Sequence, residues 1–248
     1  AILLGLLAGA DPLVAAEAVT VPAAAANTSA ATPLPPLPPK MNVPAPGPVT
    51  DAPYAPQPIL QGGVVIPLYP PGSPYLKMDR VKEAEKYNVG GNGMIGSIVS
   101  IHNPSIEFHP GSGVLNTGAV VILVAGGGHR TLNVGGEGAD FVPFLASYGI
   151  NSVILRNRMR VDGYDAKTDS VYDAQQAIKI VRAYAKEWKL DPNKIGMMGF
   201  SAGAELAMPA ALFWKEFDEK NDVPGNPFAK ISSRPDFIGV IYPGPSPF

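Results

Sequence analysis

The 248 residues contain no cysteine, which excludes a disulfide framework and a thiolate metal site. Nineteen Lys and Arg against 21 Asp and Glu leave a formal charge of -2, with only 16% of residues charged. Such a chain lacks the basic excess that neutralises phosphates, so no nucleic-acid partner is expected. Histidine is scarce. His102, His109 and His129 show neither the HxxxH nor the HxH spacing that sets two imidazoles on one metal, so no metal is expected. No apolar run reaches the ~20 residues that cross a bilayer, so no stable membrane span is expected.

What is present divides the chain into three. Residues 1–18 open on the apolar run Ala1 to Ala10, broken by Asp11-Pro12, and Ala16-Glu17-Ala18 offers small residues at the -3 and -1 positions of a signal-peptidase site. The segment reads as the remnant of a signal peptide that lacks its Met and basic start, with mature protein from Val19 and export to a periplasmic or extracellular place. The alternative is a frayed apolar helix. Residues 19–62 are a Pro/Ala-rich linker: 12 of the 28 prolines fall between Pro22 and Pro58, and proline fixes φ while removing the N–H donor. A ligand for a proline-reading domain is the other reading of that stretch. Residues 63–248 carry the folded domain, and 46% hydrophobic residues supply one core of ordinary size.

Within that domain, apolar runs alternate with helical spacing. Val64 to Leu68 reads as a strand, Gly96 to Phe108 as a hairpin or meander broken by Asn103-Pro104, and Ala119 to Val124 as a strand covered on both faces. Gly138 to Tyr148 reads as a helix, Asn151 to Leu155 as a buried strand, and Ser170 to Leu190 as a long helix. In the last, Val171, Ala174, Ile178, Val181, Ala185 and Trp188 follow the 3-4 helical repeat, and Ser170 with Asp173 offers a capping box. Ile195 to Phe200 is the next strand, Ala202 begins a helix that Pro209 should bend or shorten, and Phe237 to Tyr242 is a last strand. This alternation predicts an α/β fold with a mostly parallel sheet wrapped on both faces.

Chemistry in such a sheet sits at the carboxyl ends of the strands. Gly199-Phe200-Ser201-Ala202-Gly203 falls at one of them, between strand and helix. A sharp turn there lifts the Ser201 hydroxyl clear of the sheet as a nucleophile, and glycines at 199 and 203 admit the close backbone approach that the elbow demands. Gly126-Gly127-Gly128-His129 follows the 119–124 strand. With the N–H of Ala202, the N–H groups of Gly126 and Gly127 would form an oxyanion hole, although a glycine turn leaving a strand is also common packing.

These residues resemble a family. From Val64 to Pro243 the chain is similar to the α/β-hydrolase carbohydrate esterases of the acetyl xylan esterase-like group. The resemblance rests on Ile66-Pro67-Leu68-Tyr69-Pro70, Ala125 to His129, Glu137-Gly138 and Asp173-Ala174-Gln175-Gln176-Ala177. It rests most on Asp191-Pro192-Asn193-Lys194-Ile195-Gly196 running into Met198 to Gly203, and on Ser233 to Phe237 before Ile241-Tyr242-Pro243. It implies an α/β-hydrolase fold and a serine esterase acting on acetyl or other small acyl esters of a xylan-type, acylated carbohydrate, through an acyl-Ser201 intermediate and without a cofactor. Relatives also include feruloyl esterase-like proteins and peptidases. The chain departs from the pattern after the nucleophile. The family order is nucleophile, acid, histidine, whereas the acids Glu205, Glu216, Asp218, Glu219, Asp222 and Asp236 precede no histidine in the 47 residues after Ser201. The expectation is a chain cut short at both ends with its C-terminal strands missing; the alternative is a non-catalytic, hydrolase-like binding module. His129 stands where relatives often carry an aromatic residue, and reads as a wall of the substrate pocket, not as the base. His102 and His109 read as surface or packing residues, and Glu205 as either a pocket charge or a solvated helix residue.

Overall fold

The computed structural model describes residues 51–91, 93–111, 115–222 and 226–244. The expected signal remnant and the linker up to residue 50 lie outside the described residues. Folded chain reaches back into the segment expected to be linker. Tyr54 and Ile59 are buried, Tyr54 N–H donates to Val81 O at 2.9 Å, and the N–H groups of Ile59 and Leu60 donate to the Glu107 carboxylate. Prolines at 53, 56 and 58 hide this packing from a compositional reading, although Pro56 and Pro58 are themselves buried.

The strands are β1 (Val64–Pro67), β2 (Lys86–Val89), β3 (Ile95–Val99), β4 (Ser105–His109), β5 (Val120–Val124), β6 (Asn151–Arg156), β7 (Ile195–Phe200) and β8 (Phe237–Ile241). The helices are α1 (Phe141–Ser147), α2 (Asp169–Ala183), α3 (Ala204–Leu212) and α4 (Trp214–Asn221). Six strands form one sheet in the order β1-β4-β6-β5-β7-β8, and β2 and β3 pair separately. From β6 to β8 every pairing is parallel; β1 with β4 and β4 with β6 are antiparallel. Among the described residues, no helix is long and apolar enough to cross a membrane.

The run Val120 to Val124 is wholly buried because alternate side chains leave opposite faces of the strand. Val120, Ile122 and Val124 join a core with Ala174, Ile178 and Val181 of α2 and Leu206, Ala207 and Ala210 of α3. Val121, Leu123 and Ala125 join a second core with Leu145 of α1 and Phe200. A helix layer on each face is what lets a strand be apolar throughout.

Four local expectations are corrected. The 96–108 hairpin does not form: β3 pairs with β2, whereas β4 enters the main sheet between β1 and β6. Burial decides this, since every residue of β4 is buried and β3 exposes Gly96. The 138–148 helix forms as α1 but starts later, after a π-turn over Gly135–Ala139. The Ser170 capping box is absent. α2 starts at Asp169, the Ser170 hydroxyl donates to Arg158 O at 2.6 Å, and Asp173 binds the Arg158 guanidinium at 2.7 Å. A buried arginine without its carboxylate costs more than a lost cap. The helix also ends seven residues before Leu190, at Ala183, though Trp188 still packs by stacking on Phe108 at 4.1 Å.

Candidate active site

β7 ends at Phe200 and the chain turns at Ser201 with φ +50°, a left-handed conformation rare for a residue with a Cβ. One 3-10 turn, Ser201–Gly203, then leads into α3. The turn is tight on two sides. A Cβ on Gly199 would lie 2.5 Å from Gly203 O, and one on Gly203 would meet the carbonyls of Val124 and Ala125 at the end of β5. Serine in this strained place is held by its surroundings, as expected of a nucleophile elbow.

The glycine loop after β5 lies directly against the elbow. A Cβ on Gly126 would come within 2.5 Å of Phe200 O and 2.9 Å of Ser201 Cβ, so only glycine brings this backbone so near the serine. Gly127 has φ +128° and Gly128 φ +64°. The three expected oxyanion donors do not stand alike. Gly126 N–H donates to Glu137 Oε2 at 2.7 Å and is therefore committed elsewhere. Gly127 N–H has no hydrogen-bond acceptor among the described residues. Ala202 lines the same recess as Gly126.

His129 closes the loop with φ +58°. It is buried, and its Nε2 lies 2.9 Å from Glu205 Oε2. Glu205, left open between pocket charge and solvated helix residue, thus stands four residues after Ser201 as the partner of His129. His129 lies between two hollows. The first is a narrow recess lined by Ala125, Gly126, His129, Leu132, Met159, Ala202 and Leu206. The second is a cavity of about 420 Å³ between α2, α3 and α4, whose walls include His129, Glu205 and Leu206 together with Val171, Tyr172, Pro209, Phe213 and Phe217. His129 and Leu206 line both.

The other histidines are packing groups. His102 is buried between Tyr164, 2.9 Å from Nδ1, and Arg80, 3.0 Å from Nε2. Burial holds its pKa below the usual imidazole range, and the Arg80 charge lowers it further. His109 donates to Glu107 at 2.7 Å, and Glu107 also pairs with the buried Arg156. Burial pushes the Glu107 carboxyl up, but His109 and Arg156 more than offset it and hold it below the usual range. Beneath the site, Arg158 is held charged: burial opposes its charge and Asp173 outweighs that, pushing the guanidinium up. Among the described residues no group of three or more His, Asp or Glu side chains gathers to hold a metal.

Glu137 and Tyr242 were not singled out as site residues by the sequence. Glu137 Oε1 accepts the Tyr242 hydroxyl at 2.7 Å, and this bond pushes the phenol up to about 12, with small additions from burial and from the Glu137 charge. No spacing rule links residues 105 positions apart, so the contact becomes visible only when the sheet order is known.

Comparison with known proteins agrees with this architecture. Residues 113–240, just over half of the chain, match the BD-FAE family. An acetylxylan esterase of Xylanibacter ruminicola is 35% identical over 91 residues, which is 37% of this chain and 18% of that protein. The endo-1,4-beta-xylanase B of Butyrivibrio fibrisolvens is 28% identical over 124 residues, 49% of this chain and 19% of that protein. The chain thus spans less than one fifth of the length of either curated relative. An acetyl ester-xyloside bifunctional hydrolase from Caldicellulosiruptor lactoaceticus superposes with a TM-score of 0.53 at 26% identity, covering 73% of this chain and 57% of that one. With its strand–elbow–helix at Ser201 and its parallel sheet between helix layers, the chain has the α/β-hydrolase fold and belongs to the BD-FAE family.

Proposed function

We propose that the chain carries the nucleophile and oxyanion loop of a serine esterase that hydrolyses acetyl or other small acyl esters of xylan-type polysaccharide. The observation that carries this reading is Ser201 at φ +50° on a strand-to-helix turn with the Gly126–Gly128 loop packed against it. The Ser201 hydroxyl attacks the ester carbonyl as a base takes its proton. The new C–O bond forms while the carbonyl π pair moves to oxygen, and the N–H groups of Gly127 and Ala202 face that oxyanion. Collapse expels the sugar hydroxyl, which leaves with the proton. Water then attacks the acyl-serine in the same way, releasing acetate and restoring the hydroxyl.

The relatives named for acetylxylan and xyloside hydrolysis support the acetyl group and the polysaccharide. The family order puts acid and histidine after the nucleophile, and His129, tied to Glu205, is a wall of the pocket. The apolar opening residues support export. Acetate release from acetylated xylan by the full-length protein, abolished in Ser201→Ala, is the expected outcome. Xylan binding without acetate release would favour a non-catalytic, hydrolase-like binding module. Peptide cleavage without acetate release would point to a peptidase.

A further inference from the structure

Gly126 is tied at both of its backbone polar groups to one short segment. Its N–H donates to Glu137 Oε2 at 2.7 Å, and its carbonyl accepts Asn133 N–H at 3.0 Å. Glu137 N–H in turn donates to Asn133 O at 3.1 Å, closing the ring of contacts. The geometry that presents Glu137 is the π-turn Gly135–Ala139, in which Asp140 N–H reaches back five residues to Gly135 O at 3.0 Å. Such turns are rare and concentrate at functional sites. The second oxygen of the same carboxylate, Oε1, accepts the hydroxyl of Tyr242 at 2.7 Å. Tyr242 directly follows β8 and takes φ +34°, an uncommon conformation for an aromatic residue.

We propose that Glu137 is a positioning residue: its carboxylate clamps the Gly126–Gly128 loop to the carboxyl end of β8, fixing the plane in which Gly127 N–H faces the reacting oxygen. This rests on the esterase reading of Ser201. Two charge-assisted bonds from one carboxylate hold more firmly than neutral ones. The loop needs them, because three consecutive glycines have no side chains of their own to anchor it and a misplaced oxyanion donor costs rate steeply. The hydrogen bonds of the Glu137 carboxylate go to Gly126 and Tyr242, so it acts through Gly126. The committed amide of Gly126 is therefore the anchor of the oxyanion hole, and its donors are Gly127 and Ala202.

The test uses the full-length protein with Glu137→Gln, Glu137→Ala and Tyr242→Phe. Hydrolysis of an aryl acetate should show kcat lowered roughly tenfold to a hundredfold in Glu137→Ala with KM nearly unchanged. Glu137→Gln should recover most of the loss, because its amide oxygen still accepts Gly126 N–H. A second readout needs no catalysis. In pH-jump absorbance at about pH 11, read before unfolding, the phenol removed by Tyr242→Phe should remain un-ionised in the parent and ionise in Glu137→Gln, its titration moving from about 12 toward the ordinary 10. A Tyr242 phenol that titrates normally in the parent, or Glu137→Ala with parental kcat, would overturn the clamp. Failure of Ser201→Ala to abolish hydrolysis would overturn the esterase reading alone, and the phenol titration would still decide whether the clamp exists.

Discussion

Replacing Ser201 by glycine should make the protein more stable than replacing it by alanine, although both remove the hydroxyl. Ser201 sits at φ +50°, where a Cβ crowds the following carbonyl oxygen at a cost of about 1–2 kcal/mol. Alanine keeps that Cβ and its strain. Glycine removes both, but its freer unfolded chain subtracts about 0.5–1 kcal/mol. The balance favours glycine over alanine by up to about 1.5 kcal/mol, which for a domain of this size raises Tm by at most roughly 3–6 °C. Thermal unfolding of the two variants side by side measures the difference directly. A Ser201→Gly variant that melts below Ser201→Ala would show that the turn carries no strain and that the elbow reading of the geometry is wrong.

Other perturbations follow the same reasoning. Gly203→Ala places a Cβ 2.7 Å from Ala125 O and nearer still to Val124 O, both backbone atoms at the end of β5 that cannot yield; a loss of about 3 kcal/mol is expected in denaturant titration, and unchanged stability would contradict the packing. Arg158→Met leaves the buried Asp173 carboxylate without its partner and should cost about 3–5 kcal/mol, much of it recovered in Arg158→Met with Asp173→Leu. His102 titrates below its unfolded value because burial and Arg80 disfavour its charge. Its contribution is therefore full above the unfolded pKa of about 6.5 and is lost as pH falls below it. The drop in Tm between about pH 7.5 and 5.5 should accordingly shrink in His102→Asn, and an unchanged drop would mean that His102 is not the group responsible.

The sequence exposed the scaffold wherever one side-chain pattern has one structural solution. Six apolar residues ending in glycines make a strand buried on both faces, and the repeat from Val171 to Val181 makes a helix; β5 and α2 stand there. The sharp turn at Ser201 was equally legible, because GxSxG between strand and helix specifies a local turn. What was hidden is set by long-range pairing. Asp173 reads as a cap in sequence and as the partner of Arg158 in space. Asn103-Pro104 reads as a hairpin turn, yet it carries the chain from one sheet to another. Glu137 lies on a π-turn that glycine spacing does not announce, and its bonds to Gly126 and Tyr242 depend on β5 and β8 flanking β7.

The most direct test of the account is the reaction of the full-length protein with a serine-directed phosphonate, followed by peptide mass analysis. The account predicts a single phosphonyl adduct on Ser201, absent from Ser201→Ala and formed with loss of ester hydrolysis in proportion to labelling. A folded protein that hydrolyses acetyl esters while Ser201 stays unlabelled, or that takes no label and releases no acetate, would contradict it.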